Sequence, residues 1–488
     1  MSKGGKIEIF SLTDIELLTD NIDRINEDIK RKQLELFDPK MDDVREIVKI
    51  VNNFIKNKKR KVYGGEALNK IISNKSPKDS FYGKYELPDI DIYSPRPIDD
   101  LIELCNKILE SGFTPVTGQE ALHKGTYSIF VKYHNFVDIT YVPTNVFHRI
   151  PFEEINGINY VHPHFMMVDM LRIFTDPLLS YFRLEKTVKR LRLIQKHYPI
   201  KQQPFKLKLI SPPREVKQFN EDINKLLLRD DALLVGFEAY NQLAKYAQTS
   251  ISYLKPIETP YPEIVLTDFK VTGREFIEQL KKNHPDDAEH ISAVEYYPFF
   301  QFIGHSAIVY YKKIPIAHLY HYDHRCIPWK EIQYVSNDKT IGKIRIGSFS
   351  YQLLFSWASY YRARTEKDNE VTDRYRILFS HLVELRNEYF TKNKKNIFHD
   401  TPFAEFLINC IGDTIPPATE KRIRIDKNKA KGKQYVFRYD PSTKQMAPGD
   451  IKHGFANTAG TAVRNEKNLK LNGDIKDDYD EEETDVEN

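Results

Sequence analysis

The stretch Leu87-Pro88-Asp89-Ile90-Asp91-Ile92-Tyr93-Ser94 decides the fold that we expect for this chain. Its carboxylates alternate with isoleucines, and an alternation of period two is typical of a β-strand with one buried face. Residues two apart lie about 6.5–7 Å from each other along a strand and share a face, so Asp89 and Asp91 point away from the isoleucines. Two like charges on one face repel, by about 4 kcal/mol at 4 Å and an effective dielectric constant of 20. A divalent cation converts this repulsion into binding, because Mg²⁺ takes oxygen ligands and keeps open positions for substrate phosphates.

The residues upstream make this pattern more informative than it is alone, since Asp478-Tyr479-Asp480 near the C-terminus satisfies it too. In the segment Lys61–Ile72, a short β-type run is followed by Gly64 and Gly65 and then by apolar residues at helical spacing. Paired glycines at a strand-to-helix turn let backbone N–H groups approach a ligand closely. The N-terminus of a helix favours anions, so this turn is a candidate phosphate site.

Two apolar runs downstream, Thr126–Tyr133 and Phe136–Val142, predict a β-hairpin that turns at His134-Asn135. Asp138 lies between Val137 and Ile139, as Asp89 and Asp91 lie beside isoleucines. A third carboxylate on a neighbouring strand would complete a cage for two metal ions.

The order of these features resembles that of the polymerase-β-like nucleotidyltransferase superfamily, in which a glycine turn and helix precede an Asp-x-Asp strand and a later strand carries another aspartate. The segment Asp176–Lys186 is similar to the one that follows the catalytic domain in poly(A) polymerase catalytic subunits of poxviruses, asfarviruses and mimivirus-like giant viruses. Over about residues 45–410, the resemblance implies the giant-virus branch of that family. It also implies an α+β fold of two tandem nucleotidyltransferase-like (polymerase-β palm) domains, the second degenerate, with flanking helices.

The resemblance assigns roles to the residues of the predicted site. Asp89 and Asp91 would bind both of two Mg²⁺ or Mn²⁺ ions, and Asp138 would bind one ion and help to deprotonate an attacking 3′-hydroxyl. Gly64 and Gly65 would present backbone donors to a triphosphate. Many members of the superfamily have Gly-Ser here, and this glycine pair lacks the serine hydroxyl that could contact phosphate. The alternative is that the three aspartates are merely exposed acids near the end of a sheet.

The second half of the chain repeats landmarks of the first half, which predicts a duplicated fold. Three segments of the second half match earlier ones at offsets of 172, 179 and 177: Leu234–Asn241 matches Val62–Asn69, Val265–Val271 matches Leu87–Ile92, and Cys326–Ile332 matches Arg149–Ile155. On this alignment Lys270 replaces Asp91, Phe237 replaces the second glycine, and Ala317-His318 falls where Asp138 would be. We therefore expect the second copy to be catalytically silent and to act as a scaffold, an RNA surface or a dimer contact.

Charge is unevenly distributed along the 488 residues. The net charge is +4, but residues 474–488 hold nine acids and one lysine, which leaves +12 on the remainder. Residues 183–201 carry seven basic residues and one acid. This asymmetry favours a surface that faces a polyanion. Within that segment we predict RNA-binding and nucleotide-binding residues, the former being Arg183, Lys189, Arg190 and Arg192 and the latter Lys186.

Two aromatic residues precede the basic segment. Tyr181 and Phe182 could stack on adenine or another RNA base, because aromatic rings accept any base. They could equally be core residues, and the sequence does not separate the two possibilities. In the helix that follows, Leu184, Val188, Leu191 and Ile194 have the spacing of a buried stripe.

Composition is ordinary for a soluble globular protein, with 41% hydrophobic and 29% charged residues. No apolar run approaches the ~20 residues of a membrane span, so we expect no signal peptide and no membrane partner. Cys105, Cys326 and Cys410 are dispersed, which argues against a disulfide framework and suits a reducing compartment.

We predict five segments along the chain. They are an N-terminal helical segment (1–45), a catalytic nucleotidyltransferase domain (46–180), a basic helix and linker (181–230), a degenerate nucleotidyltransferase-like domain with helices (231–410), and a basic arm with a disordered acidic tail (411–488). The basic arm spans Thr414 to Lys444, and the disordered tail begins at about Asp440 because apolar residues become sparse there.

The function implied by the resemblance is a template-independent polynucleotide adenylyltransferase that adds AMP from ATP to the 3′ end of viral mRNA by a two-metal mechanism. The alternatives are a non-catalytic RNA-binding or processivity subunit, and another nucleotidyltransferase such as a tRNA nucleotide-adding enzyme. The implied partners are ATP, the 3′ end of single-stranded RNA and a second copy in a homodimer. The implied location is a viral factory in the host cytoplasm, with packaging in the virion as a further possibility.

Overall fold

The computed structural model describes residues 9–36, 41–83, 89–208, 211–322, 325–336, 339–430 and 437–447. Its α-helices are α1 (Leu12–Asp20), α2 (Ile22–Leu36), α3 (Met41–Lys58), α4 (Gly64–Lys75), α5 (Pro97–Glu110), α6 (Thr144–Arg149), α7 (Pro163–Phe174), α8 (Leu184–His197), α9 (Asn220–Leu227), α10 (Gly236–Ala247), α11 (Phe269–Asn283), α12 (Phe349–Glu366), α13 (Asn369–Asn393) and α14 (Pro417–Ala430). Its strands are β1 (Lys61–Tyr63), β2 (Ile90–Ser94), β3 (Val116–Glu120), β4 (Thr126–Val131), β5 (His134–Tyr141), β6 (Phe152–Ile155), β7 (Ile158–Val161), β8 (Ala232–Val235), β9 (Glu263–Leu266), β10 (Ile291–Tyr296), β11 (Ser306–Tyr311), β12 (Ile314–His321), β13 (Ile327–Ser336), β14 (Lys339–Gly347), β15 (Cys410–Ile411), β16 (Arg438–Asp440) and β17 (Gln445–Ala447).

The described residues fall into two compact units. The first contains those up to Thr140 together with 153–160 and 437–447, and the second contains 141–152 and 161–430. Each unit is built on one mixed sheet with helices, which confirms the α+β class. The five-segment division remains a prediction.

The two sheets share one topology, which confirms the predicted duplication. The strand order of the first sheet is β17-β16-β3-β4-β5-β2-β1-β7-β6, and that of the second is β10-β11-β12-β9-β8-β14-β13-β15. Strand β1 is antiparallel to β2 and parallel to β7, and β8 is likewise antiparallel to β9 and parallel to β14. Seven strands therefore correspond one to one, and the additional strands join different edges.

Strand β2 has the alternation of buried and less buried side chains that its sequence predicts. In β2, Ile90 and Ile92 are buried, whereas Asp91 is half-buried and Asp89, directly before the strand, is exposed. Helix α5 packs on this sheet through residues such as Leu101, for which Gly118 of β3 leaves room: a Cβ there would stand 2.8 Å from the Leu101 Cγ. Each fully buried leucine or isoleucine stabilises the fold by about 1.5–3 kcal/mol. Leu87 and Pro88 lie outside the described residues.

The predicted hairpin exists, but its turn is two residues earlier than expected. Lys132 and Tyr133 form the turn with φ of 48° and 69°, and Val131 pairs with His134. Two consecutive residues with positive φ are typical of the type I′ turn, whose twist suits a β-hairpin. His134 and Asn135 therefore belong to β5 and not to the turn.

The predicted disordered tail does not begin at Asp440, because strand β17 follows it at Gln445–Ala447. Strand β16 pairs with the edge strand β3, and β17 pairs with β16. The pair is anchored by buried aromatic residues: the ring of Phe437 lies 5.6 Å from that of Tyr127, and the Tyr439 hydroxyl donates to Asn106 Oδ1 at 2.7 Å. Sparse apolar residues were misleading here because two well-placed aromatic side chains suffice for an edge strand. Residues 448–488 lie outside the described part of the chain.

The flanking helices largely follow the apolar periodicity. The N-terminal segment is helical in α1 and α2, although several of its apolar residues, such as Leu12 and Leu17, are exposed. In the second unit, apolar residues at helical spacing predict helices over Ser350–Arg364 and Asp373–Lys392. Helices α12 and α13 begin and end within a few residues of these bounds. Contrary to the expectation from the dispersed cysteines, Cys326 and Cys410 form a disulfide, which links the start of β13 to β15 with a Cα–Cα distance of 5.2 Å. Among the helices described, none has both the length and the apolar character that a bilayer crossing requires.

Candidate active site

The first feature of the site is the position of Asp91 over Gly64. Tyr63 and Asp91 are direct partners of the antiparallel pair β1–β2, and Gly64 begins helix α4 with a φ of +75°. A Cβ added to Gly64 would overlap the Asp91 carboxylate, standing 3.1 Å from its Cγ. Both the left-handed backbone and the close approach require glycine at this position.

A ring stacking and a hydrogen bond between strands show which residues lie on the same face of the sheet as Asp91. The Tyr63 ring stacks on Tyr93, with centroids 3.8 Å apart and planes within 3°. Its hydroxyl reaches Thr140 Oγ1 on β5 at 2.8 Å. Because residues two apart on a strand share a face, Asp138 lies on the same side of the sheet as Thr140 and Tyr63.

Asp138 is held in place by two neighbouring side chains. Its Oδ1 accepts hydrogen bonds from Ser128 Oγ at 2.6 Å and from Asn135 Nδ2 at 3.1 Å. Ser128 is its direct partner on β4, and on its other side β5 neighbours β2, the strand of Asp91. Hydrogen bonds to an ionised carboxylate are the strong ones, so these contacts fix the orientation of Asp138.

The structure places Asp91 and Asp138 on one face of the sheet, and it does not gather the three predicted carboxylates. Among the residues that the structure describes, no three His, Cys, Asp or Glu side chains come close enough to hold a metal ion. The convergence predicted for Asp89, Asp91 and Asp138 therefore rests on strand register, not on measured carboxylate distances, and stays a prediction.

The donor set nevertheless fits a hard divalent cation. Mg²⁺ and Mn²⁺ are bound by carboxylate, amide and water oxygens, and this face supplies carboxylates from two adjacent strands. The Oδ1 atom of Asn135 is buried beside Asp138 and accepts no hydrogen bond from the described residues. Asn135 is therefore an oxygen-bearing side chain in contact with one of the two aspartates.

Helix α4 supplies the candidate phosphate site. It begins at Gly64, so the N–H groups of its first turn, including that of Gly65, have no acceptor within the helix. Tyr63, its N-cap residue, makes no side-chain cap hydrogen bond. Burial raises the pKa of Glu66 in this turn, although Lys70 opposes the shift. Burial also lowers the pKa of Lys61 on β1 to about 8.

The second unit contains the corresponding position, and it corrects one part of our alignment. Glu263 is the direct partner of Val235, as Asp91 is of Tyr63, so the offset of 172 holds for the strand as well as for the glycine. Lys270, which we had matched to Asp91, lies in helix α11. The resemblance of Val265–Val271 to β2 was accidental, because β9 ends at Leu266 and Asp268 caps α11.

Protein side chains fill the equivalent of the phosphate site in the second unit. Gly236 N donates to Gln352 Oε1 at 3.1 Å, and Phe237 N donates to Glu263 Oε2 at 3.4 Å. Glu263 is buried, and its other oxygen accepts from Tyr375 at 2.6 Å. Burial raises the pKa of Glu263. The first N–H groups of α10 therefore donate to side chains of the protein, at the position where we predict that α4 binds an anion in the first unit.

Strand register also identifies the residue that occupies the position of Asp138 in the second unit. His318 faces Ile308 on β11, as Asp138 faces Ser128 on β4, which confirms the predicted replacement at His318. The imidazole is buried between Ser306 Oγ at 3.1 Å and the Tyr320 hydroxyl at 2.8 Å. Phe237 stands at the second glycine, as predicted. The second copy is therefore degenerate.

The predicted RNA-binding and nucleotide-binding residues belong to the second unit. Arg183 ends a short 3-10 turn (Tyr181–Arg183), and the remaining four lie on α8: Lys186, Lys189, Arg190 and Arg192. All but the half-buried Arg190 are exposed. The expected buried stripe is wrong at Val188, which is 47% exposed, whereas Ile194 is buried. Only part of this helix packs against the described chain.

Several residues of the site were missed by sequence reasoning. Ser128 and Asn135 orient Asp138, while Tyr63 and Thr140 connect β1 with β5. The period-two alternation could have placed Ser128 on one face, but its partner depends on the register between strands. Asn135 was assigned to a turn, so its side chain was not considered.

Family models match nearly all of the chain. One described as "Poly(A) polymerase catalytic subunit" matches residues 49–180. Another, described as "APMV, Putative poly(A) polymerase, catalytic subunit, C-terminal", matches residues 192–473. The three predicted aspartates fall within the first match, and the degenerate copy falls within the second.

Individual relatives extend this similarity. A protein of Acanthamoeba polyphaga mimivirus, described as a "putative poly(A) polymerase catalytic subunit", is 33% identical over 512 residues, which cover 98% of this chain and 88% of the relative. A protein of African swine fever virus with the same description is 26% identical over 47% of this chain and 53% of its own length. The crystal structure of the Megavirus polyadenylate synthase matches 96% of both chains at 34% identity with a TM-score of 0.86. The similarity thus covers both units.

Proposed function

Because the chain belongs to the family of viral poly(A) polymerase catalytic subunits and is a nucleotidyltransferase enzyme, we propose that it transfers AMP from ATP to the 3′ end of viral mRNA without a template. The 3′-oxygen forms a bond to the α-phosphorus of ATP, the bond between the α- and β-phosphates breaks, and pyrophosphate leaves. The observation that carries this proposal is the common sheet face of Asp91 and Asp138 beside the glycine start of α4. Carboxylates for cations and a helix N-terminus for phosphate are the two elements that nucleotidyl transfer requires.

Each residue of this face has a distinct task. Asp89, Asp91 and Asp138 would hold two Mg²⁺ or Mn²⁺ ions, which when bound stabilise the attacking and leaving oxygens of an in-line displacement. Asp138, oriented by Ser128, accepts the proton of the attacking 3′-hydroxyl. The N–H groups of Gly64 and Gly65 orient the triphosphate through the positive end of α4.

The basic helix α8 is the part of the second unit that we assign to the substrates. We propose that Lys186 contacts the phosphates of ATP and that Arg183, Lys189, Arg190 and Arg192 contact RNA. Long, exposed cationic side chains neutralise phosphates without reading sequence. Such contacts suit an enzyme whose RNA substrate changes with every nucleotide added.

The proposal also includes the oligomeric state and the location of the protein. We propose a homodimer that works in a viral factory of the host cytoplasm, with packaging in the virion as a second location. Analytical ultracentrifugation of the full chain tests the dimer, and a sedimentation coefficient of a monomer at micromolar concentration would contradict it.

The decisive experiment offers the purified chain a 5′-labelled oligoadenylate with Mg²⁺ or Mn²⁺ and one nucleoside triphosphate at a time. We expect extension with ATP in preference to CTP, GTP and UTP. The variant Asp138→Ala should abolish extension and leave RNA affinity nearly unchanged, whereas the exposed acid Asp99 of the same unit, changed to Asn, should leave both unchanged.

The other outcomes separate the alternatives. RNA binding with no extension under any metal would support a non-catalytic RNA-binding or processivity subunit. Addition of CTP as well as ATP, with tRNA preferred as acceptor, would support a tRNA nucleotide-adding enzyme. Unchanged activity of the Asp138 variant would refute the role of that carboxylate.

A further inference from the structure

Two neighbouring aromatic side chains are exposed at the start of the basic helix. Tyr181 is 69% exposed and Phe182 66% exposed, in the 3-10 turn that leads into α8. Adjacent large apolar groups that are left in water are a candidate binding surface. The choice between core and stacking residues, which the sequence left open, is therefore settled against the core.

The two rings form a right-angled corner. Their centroids are 5.9 Å apart and their planes are inclined by 88°. The Arg183 guanidinium lies 5.4 Å from the Phe182 centroid, within the range of a cation–π contact. A flat ligand can stack on one ring of this corner while its edge meets the other ring.

The charge around the corner indicates which flat ligand binds. Residues 183–201 have a net charge of +6, and their single acid, Glu185, is paired with Lys189 at 2.7 Å. A second copy of this chain, presenting the same face, would place like charges against each other. A single-stranded nucleic acid instead combines phosphates for the cations with bases for the rings.

We propose that the Tyr181–Phe182 corner binds one base of single-stranded RNA by stacking, while the cations of α8 contact the flanking phosphates. The inference rests on the proposed function in that RNA is taken as the substrate. It goes further in assigning a base-binding site to two residues that carry no charge. Stacking on an aromatic face accepts any base, so the site gives affinity without sequence preference.

Binding of a fluorescein-labelled oligoadenylate to the full chain, measured by anisotropy at several salt concentrations, tests the site. Tyr181→Ala and Phe182→Ala should each weaken binding about tenfold, within the range known for stacked aromatic residues. The salt dependence should stay unchanged, because no phosphate contact is lost. Arg192→Gln should instead reduce the slope of log Kd against log salt by about 0.7.

Conservative variants distinguish stacking from a merely apolar contact. Phe182→Tyr keeps a ring and should bind as well as the original chain, whereas Phe182→Leu should bind as weakly as Phe182→Ala. Phe398→Ala, which removes a 78% exposed ring elsewhere in the second unit, serves as the matched control and should bind normally.

The remaining outcomes test the base site and the proposed function separately. If ATP extends RNA but the alanine and leucine variants bind RNA normally, the base site is wrong and the proposed function stands. If these variants shift the sedimentation coefficient without changing RNA affinity, the corner contacts a second copy. If the chain does not bind oligoadenylate at all, the base site is also wrong. Ring-dependent RNA binding without any extension would support the base site and count against the proposed function.

Discussion

Asp91 lies directly over Gly64, and Glu263 lies in the same way over Gly236. A Cβ at Gly236 would stand 2.7 Å from the Glu263 carboxyl carbon, and both glycines have positive φ, +75° and +67°. The same backbone geometry therefore exists in both units, but an acid on the adjacent strand has different surroundings in each. In the first unit it is half-buried, and in the second it is buried among protein donors.

Because Gly64 lies so close to the Asp91 carboxylate, we expect a larger residue at this position to reduce catalytic activity. Gly64→Ala should reduce the rate of AMP incorporation at least 100-fold, because the added methyl group displaces the Asp91 carboxylate. Gly112 provides a matched control: its φ is +91° and a Cβ there would meet nothing within 4 Å. Gly112→Ala should therefore show a similar loss of stability, about 1 kcal/mol, with normal activity. Equal activities of the two variants would contradict the role of the contact.

Equivalent acids in the two units should differ in function. Asp91→Asn should abolish extension, since it removes a charged oxygen ligand. Glu263→Gln should leave the activity per folded molecule within about twofold of the original, because its neighbours Tyr375 and Phe237 already bind it as protein partners. Both variants are measured by extension of labelled oligoadenylate with ATP, after circular dichroism confirms folding. A large loss in the Glu263 variant would show that the second copy is not silent.

The hydrogen bond from Ser128 to Asp138 predicts a positioning effect. Ser128→Ala should lower kcat about tenfold, or ~1.4 kcal/mol, a typical value for one hydrogen bond to a charged group. The KM for ATP should change little, since the serine hydroxyl acts through its hydrogen bond to Asp138 and the predicted phosphate donors are the N–H groups of Gly64 and Gly65. Steady-state kinetics with ATP measure both constants. Ser111→Ala, which removes an exposed serine of the same unit, should leave both unchanged.

His318 predicts a pH dependence of stability. Burial and the nearby Arg362 lower the pKa of His318 well below its usual range. The unfolded chain binds a proton as the pH falls through about 6.5 and the folded chain does not, so the free energy of unfolding should fall below that pH. The slope for one histidine is at most about 1.4 kcal/mol per pH unit.

Urea denaturation at pH 7.0 and 5.5, followed by tryptophan fluorescence, measures this slope, because both tryptophans, Trp329 and Trp357, belong to the second unit. His318→Gln should be less stable at pH 7.0 but should lose less between the two pH values. His134→Gln, which changes an exposed histidine, should keep the original slope. The same slope in all three proteins would exclude His318 as a source of the pH dependence.

Strand β16 is distant in sequence from the rest of the first unit, but we expect its buried aromatic residues to stabilise that unit. Phe437→Ala should destabilise the first unit by about 3–5 kcal/mol, because its buried ring packs on Tyr127. Tyr439→Phe, which loses only the hydrogen bond to Asn106, should cost about 1 kcal/mol. Thermal unfolding by circular dichroism measures both. A Phe437 variant as stable as the original would mean that β16 does not stabilise the sheet.

Local patterns were the dependable part of the sequence. The alternation around Asp91 predicted a strand with buried isoleucines, the two glycines predicted the start of α4, and apolar periodicity predicted α12 and α13. The duplication was also readable, because equivalent segments kept their order. The errors came from relations between segments: Lys270 was matched to a strand that ends before it, and the hairpin turn was placed at His134.

The sequence by itself determined the elements of this protein, because the period of apolar residues is set within a single strand or helix. Only the tertiary structure decided that Glu263 replaces Asp91, that Ser128 and Asn135 orient Asp138, and that Phe182 is exposed. These facts depend on which strand pairs with which and in what register. They also depend on which faces find a partner, and such long-range contacts leave no period in the sequence.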